Sequence, residues 1–295
     1  DYEPSLIVRD SEIKKYLETK GVGFSSFKDQ VIFSKDEVVK SDKTPYTVFT
    51  PYSKQWKLKL ESEGITNYKS EDFFENFLKI DLRILELEQI GYSRLDFRFP
   101  EREIKESVLI NYEKTRNFPY LDSCSRLGVH LRFGTISIRE AVAKAQKHSE
   151  VWLSELIWRE FFMQILWHFP HVEKSSFRKK YDLVEWSNDE EKFEKWCRGE
   201  TGFAIVDAGM KELVATGYMH NRVRMITANF LTKLLLIDWR WGERFFAEHL
   251  LDYELASNNG NWQWAAGTGA DAAPYFRIFN PYEQIRKFDK DNIYL

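Results

Sequence analysis

Two regimes of apolar spacing divide the chain. In the first 56 residues the apolar positions come in short runs: Leu6-Ile7-Val8, Val31-Ile32-Phe33 and Thr47-Val48-Phe49. Their length and β-branched or aromatic content predict strands. Asp10 is placed to cap a helix over Ser11–Thr19 that ends at Gly21. Three fragments are too few for a doubly wound sheet, so residues 1–56 read as the C-terminal remnant of an α/β domain whose first strands are missing. Residues 57–105 are charged and mixed, with helical stretches such as Asp72–Leu78, and read as a connector wrapped on the surface. From residue 106 to 295 helical periodicity dominates. It predicts helices over Val151–Phe169, stopped by Pro170, over Phe203–Ala215, ending at Gly217, and over His220–Leu236 and Trp241–Leu251. Asn258-Asn259-Gly260 and Gly267-Thr268-Gly269 read as loops. The fold class expected is mainly α, with strands confined to about the first 50 residues.

Composition adds limits. Apolar residues make up 43% of the 295, enough for a large core. Ten tryptophans serve either as core filler or as stacking surfaces, and composition alone favours filler. A net charge of -3 excludes a globally basic nucleic-acid binder, so any DNA site must be a local basic patch. Two cysteines, Cys124 and Cys197, form no CxxC pattern, so neither a metal site nor a disulfide framework is expected. The longest apolar stretch, around Phe230–Ile237, is too short to cross a bilayer. The opening Asp1-Tyr2-Glu3-Pro4 is no signal peptide and lacks an initiator Met, so the chain is expected to be cut or processed. The setting expected is reducing and cytoplasmic, the chain a monomer.

Three segments carry candidate chemistry. On a helix, Glu155, Trp158, Arg159 and Phe162 share one face. An acid, a base and two aromatics there form either a site or an ordinary i,i+4 ion pair beside core rings. Asn221 and Met225 share a face of the helix opened by His220, with Arg222 pointing elsewhere; an amide, a thioether and arginines suit a phosphate, a flavin edge or a base, or are simply polar helix-start residues. The run Asp252–Gly269 mixes Asn, Gly and Trp too densely for a solvated loop, and here function is the stronger reading.

These segments together resemble the photolyase/cryptochrome family, closest to class I cyclobutane pyrimidine dimer photolyases. The similar runs are Glu155-Leu156-Ile157-Trp158-Arg159-Glu160-Phe161, Thr201–Ala208, His220-Asn221-Arg222-Val223-Arg224-Met225, Asn258-Asn259-Gly260-Asn261-Trp262-Gln263-Trp264 and Asp271–Pro281. Pro45–Tyr52 resembles the end of the family's N-terminal antenna domain. The resemblance implies a helical FAD-binding domain, with dimer-containing double-stranded DNA as partner and substrate. It implies light-driven electron transfer from reduced FAD to the dimer. Tyr112 and Cys124-Ser125-Arg126-Leu127 match the flavin phosphate clamp. Trp152, Glu155, Arg159, Asn221 and Glu254 match flavin-side positions, Arg224 and Asp252 a salt bridge over the flavin ring, and Asn258 the residue facing its reactive nitrogen. Glu155 also matches the acid that hydrogen-bonds the damaged bases, and Trp158 and Trp264 the indoles that bracket the flipped dimer. Arg116, Asn221, Arg222, Met225 and Gln284 match DNA-contact positions, with Arg277 expected on the same basic rim. Trp262, Trp239 and Trp186 match an electron relay.

The chain departs from the pattern in places. Cys124 stands where Thr is common, Gly128-Val129 where Ser-Pro is, and Glu254 where Asp is. Most of the antenna domain and the family's C-terminal helices are expected to be missing, so an antenna chromophore is doubtful. The alternative is a cryptochrome-like blue-light photoreceptor signalling through protein partners. Asn221 and Met225, where a (6-4) photolyase would carry histidines, and Asn258 at the flavin nitrogen favour dimer repair.

Overall fold

The computed structural model describes every residue except Asp1, Asn67, Leu95, Asp96 and Arg98. Its N-terminal part corrects the strands expected there. Leu6-Ile7-Val8 lies inside helix α1 (Pro4–Thr19). Pro4 occupies the first helical turn, where φ is preset and no N–H is lost. The helix therefore starts upstream of Asp10, which sits within it and pairs with Arg9 at 2.7 Å instead of capping. Phe49 opens helix α2 (Phe49–Glu63), with Val48 as its extended N-cap. Val31-Ile32-Phe33 is buried but joins no sheet. The N–H groups of Ile32 and Phe33 donate to the Glu160 carboxylate at 2.8 and 3.0 Å. A side chain has taken the donors that a strand would offer a neighbouring strand. Among the described residues, β-pairing is limited to one isolated bridge between Val39 and Pro45. The helical stretch expected at Asp72–Leu78 is a 3-10 segment, Ser70–Asn76, with no buried residue.

Helices α3 (Glu106–Thr115), α4 (Gly128–Arg132), α5 (Ile138–His148) and α6 (Glu150–His168) follow. Ser149 caps α6, its side chain accepting from Trp152 N–H, and Pro170 follows its end as expected. Helix α6 is apolar nearly all round and forms the axis of a first core, packed by α2, α3, α5 and α11.

The second core is built by α7 (Glu190–Arg198), α8 (Ala204–Thr216), α9 (Asn221–Asn229) and α10 (Trp239–His249). Fully buried Trp196 lies at its middle, donating from Nε1 to Thr227 O at 3.2 Å. A π-helical turn, Phe230–Leu234, continues α9. Helix α11 (Leu255–Ala266) joins the cores, giving Ala256 to the first and Trp262, Ala265 and Ala266 to the second. It also overturns the loop expected at Asn258-Asn259-Gly260. Gly260 serves close packing, not a turn: a Cβ there would come within 2.2 Å of the Phe162 ring. Asn259 turns inward and donates to Val172 O at 2.9 Å. Helix α12 (Pro281–Phe288) packs on α8. No helix among the described residues is long and apolar enough to cross a membrane.

Candidate functional site

A cleft of about 600 Å³, counting its solvent-open mouth, lies between α9, α10 and α11. One wall is α9, presenting Asn221, Arg224 and Met225. The facing wall is the turn before α11 and α11 itself, presenting Asp252, Glu254, Asn258, Trp262 and Trp264. The structure thus brings together eight residues singled out from sequence. Tyr253, Ser257, Asn261 and Ala265, from the same Asp252–Gly269 run, complete the lining together with Ala228, Phe246 and Leu250, to which no motif pointed.

An ion pair closes one side. Arg224 Nη2 donates to both Asp252 oxygens, at 3.1 and 3.0 Å, and its Nε donates to Met219 O at 2.7 Å. Burial alone would lower the Arg224 pKa, but the Asp252 carboxylate outweighs it and the net shift is upward. Gly128, at the start of α4, lies against this pair. A Cβ there would approach Asp252 to 2.8 Å, so the position holds only glycine without a shift. The expected clamp residues meet the same corner. The Arg126 guanidinium lies 4.6 Å from the Tyr218 ring centre and that of Arg224 5.9 Å. Arg126 takes a left-handed backbone (φ 51°), Cys124 lies beside Tyr218, and Leu127 is buried as the residue capping α4. Ser125 is partly buried between them.

Asn258 is oriented from behind. Its Nδ2 donates to Glu243 O at 3.0 Å and to Glu243 Oε1 at 2.9 Å. Burial raises the Glu243 pKa, against the lowering effect of that bond. Glu254 caps α11, its carboxylate accepting from Ala256 and Ser257 N–H at 3.0 and 2.9 Å. Asn221 Nδ2 reaches Met225 Sδ at 3.8 Å, so the two share a face as expected. His220, which sequence reading left without a role, is buried and caps α9, its Nδ1 accepting from Arg222 N–H at 3.1 Å. Burial first, then the charges of Arg222, Arg224, Arg116 and Arg126, pull its pKa down to about 4, so it is neutral at pH 7. Its partner is its own helix start, which no residue-type pattern announces.

Several expected residues stand outside the cleft lining. Glu155 and Trp158 lie on α6. Glu155 pairs with Arg116, the residue that closes α3, which in turn sits 5.4 Å from the Tyr112 ring centre. Burial raises the Glu155 pKa, with Arg116 opposing. The i,i+4 pair possible between Glu155 and Arg159 is not formed. Arg159 instead donates to backbone carbonyls, Gln30 O at 2.6 Å and Leu131 O at 3.4 Å. Trp152 is buried in the first core. Trp262 and Trp239 are buried in the second core and Trp186 packs against it. Ser187 N–H donates to Leu236 O, and Asp238 N–H to Asn188 Oδ1, which ties the Trp186 segment to the start of α10, where Trp239 stands.

Three arginines from distant segments share one field. Burial lowers the Arg222 pKa, and the charges of Arg116 and Arg277 lower it further. Its Nη2 donates to the neutral amide of Asn117 at 2.5 Å, and its guanidinium lies 4.3 Å from the Phe288 ring centre on α12. Gln284, also on α12, is partly exposed. Arg277 lies 5.8 Å from the Trp264 ring centre. These like charges, Arg116 among them paired to Glu155, form the local basic patch that a net charge of -3 requires of any anion site.

A helical cleft lined by indoles, by amides on both walls and by an Arg–Asp pair at its edge suits a flat cofactor with polar rims. Residues 152–295 match the family described as the FAD binding domain of DNA photolyase, and residues 1–70 match the DNA photolyase family. The chain belongs to the DNA photolyase family. It is 38% identical to a deoxyribodipyrimidine photo-lyase of Vibrio cholerae over 100% of this chain and 67% of that protein. Among solved structures, a bacterial class III photolyase from Agrobacterium tumefaciens superposes with a TM-score of 0.82 at 33% identity, covering 100% of this chain and 66% of that one. A Synechocystis cryptochrome superposes with a TM-score of 0.77 at 26% identity, over 100% and 66%. The chain spans about two thirds of the length of the curated relatives it matches. The lining fits FAD: apolar Ala228, Phe246, Leu250 and Ala265 suit a ring face, while Asn221, Arg224, Asp252 and Asn258 suit its heteroatom edge.

Proposed function

We propose that this chain carries out light-driven DNA repair as a deoxyribodipyrimidine photo-lyase, splitting cyclobutane pyrimidine dimers. The observation that carries the reading is the single cleft uniting the Arg224–Asp252 pair with Asn258, Trp262 and Trp264. Reduced FAD, held by this lining, would supply the blue-light-driven, reversible one-electron donation that splitting the dimer requires. The protein residues bind and orient. Arg224 and Asp252 hold a polar edge of the cofactor. Asn258, its amide N–H spent on Glu243, offers its oxygen to a cofactor N–H. Cys124, Ser125 and Arg126 hold phosphate at the corner by Tyr218. Trp158 and Trp264 flank the flipped dimer, and Glu155 accepts its hydrogen bonds; Arg116, Arg222 and Arg277 neutralise DNA phosphates around it, with Gln284 at the rim.

Trp262, Trp239 and Trp186 form a relay that brings electrons to oxidised flavin from the surface. Indole oxidises readily; Trp262 and Trp239 lie in the second core and Trp186 packs against it. In this reading residues 106–295 are the catalytic domain, 57–105 the connector and 1–56 part of an antenna domain. The protein acts as a monomer in the cytoplasm. The test is direct. Purified chain should show flavin absorption in the blue and, under blue light with reductant, remove dimers from an oligonucleotide. Trp262→Phe should block photoreduction of oxidised flavin while repair survives once the flavin is chemically reduced. Loss of both activities would assign Trp262 to holding the pocket together.

A further inference from the structure

Trp158 is partly exposed on α6, yet one of its faces is closed. The Phe49 ring lies against it with centroids 3.7 Å apart and planes 6° from parallel. Phe161 meets the Phe49 ring edge-on at 5.8 Å, and Phe162 lies tilted beside Trp158 at 5.4 Å. The backbone that carries Phe49 is anchored at two points. Its backbone N–H donates to Asp271 Oδ2 at 3.0 Å. Asp271 itself takes a left-handed backbone (φ 48°), uncommon for a residue with a Cβ, which aims this carboxylate back at α2. Seven residues along α2, Trp56 Nε1 donates to the buried Glu160 carboxylate at 2.6 Å and pins the helix to α6.

From this geometry we infer that Phe49 is a positioning residue for DNA recognition. It backs Trp158 so that the indole presents its free face to the flipped base in a fixed orientation. The inference rests on the reading of Trp158 as a wall of the dimer pocket. A long aromatic side chain that must be ordered on binding costs affinity, and a rigid stacked partner removes that cost in advance. The base then becomes the outer layer of a three-ring stack. The contribution comes from the segment that matches the N-terminal family, residues 1–70, and not from the FAD-binding part. Phe49 has no polar group, does not line the cofactor cleft and acts on DNA only through Trp158.

The experiment compares Phe49→Leu, Phe49→Tyr and Trp158→Ala in the purified chain. Affinities are measured for a duplex with one thymine dimer and for the same duplex undamaged, with flavin content and thermal unfolding monitored to verify folding. A stacked aromatic pair contributes about two- to tenfold in an equilibrium. Phe49→Leu should therefore lose roughly fivefold in affinity for the dimer duplex and nothing for the intact one. Phe49→Tyr, which keeps the ring face, should restore the preference. A Phe49→Leu variant that weakens both duplexes alike shows a merely structural ring and overturns the inference. One that binds the dimer more tightly shows a ring that plugs the pocket, which also overturns it. If Trp158→Ala abolishes the preference and Phe49→Leu leaves it intact, the pocket stands and Phe49 has no part in it. If Trp158→Ala spares the preference, or the parent chain has none, the pocket reading fails and takes the inference with it.

Discussion

The two cores handle buried charge differently. In the first, the Glu160 carboxylate accepts from Ile32 N–H, Phe33 N–H and Trp56 Nε1, three donors from segments more than a hundred residues upstream. It is 3% exposed, and its hydrogen-bonding capacity serves to stitch the N-terminal part onto α6. At the edge of the second, Arg224 and Asp252 pair with each other and still line the cleft, with side chains about a quarter exposed. One carboxyl is sealed and structural; the other pair is shielded enough to persist and open enough to meet a ligand. Burial of a charge therefore does not mark function. Capacity left over toward a cavity does.

The comparison is easiest to break at the cleft. Asp252→Ala strands the Arg224 guanidinium, and removing one partner of a shielded pair costs about 3 kcal/mol, the low end for buried pairs because this one keeps some water contact. Urea unfolding should report that loss, and flavin should leave on gel filtration. Retained flavin would detach the pair from cofactor binding.

At the sealed site the lever is pH. Burial pushes the Glu160 pKa up to about 7 from its ordinary 4.5, against the lowering effect of its three donors. Folding thus favours the protonated acid. Its stabilising contribution is complete below about pH 4.5 and is lost as pH rises through about 7, amounting to roughly 3–4 kcal/mol at 1.4 kcal/mol per unit. Between pH 5 and 8 the parent chain should lose stability relative to Glu160→Gln, which has no such titration. Parallel pH curves for the two proteins would remove Glu160 from this role.

A seam between the cores should respond to volume alone. Gly260→Ala drives a methyl toward the Phe162 ring at 2.2 Å, and overpacking of this kind costs about 2 kcal/mol. The loss should show in thermal unfolding at every pH tested, unlike the Glu160 effect. The smallest change concerns the basic rim. Arg222→Gln should weaken damaged and intact DNA alike and lower the slope of log affinity against log salt by about one unit. A selective loss for damaged DNA would move Arg222 from the phosphates to the lesion.

Much of the helical half was readable because its signals are local. Helix α6 carries its apolar run between Ser149 and Pro170, and α8 ends at Gly217 in the left-handed conformation expected of a helix-closing glycine. The cleft residues came through motifs in Asn221–Met225 and Asp252–Trp264. What escaped depends on contacts distant in sequence. The β-prone run at Val31–Phe33 is no strand because Glu160 takes its N–H groups. Asn258–Gly260 reads as a turn until Phe162 is seen against Gly260. Glu243 is silent in the chain, since only its bond to Asn258 gives it a part. Phe49 passes for one end of a strand until its ring is found on Trp158.

The Glu160 knot also sets an order of events. Ile32 and Glu160 are 128 residues apart. At about 5–20 residues per second of synthesis, the Val31–Phe33 segment waits roughly ten seconds on the ribosome before its acceptor exists. Closing so long a loop delays its reward, so contacts of this range fold slowly. During that interval Val31, Ile32 and Phe33 are a bare apolar run with unpaired N–H groups, the composition that seeds aggregation. A segment that ends buried in the native chain is thus one in need of a holdase while the chain is being made.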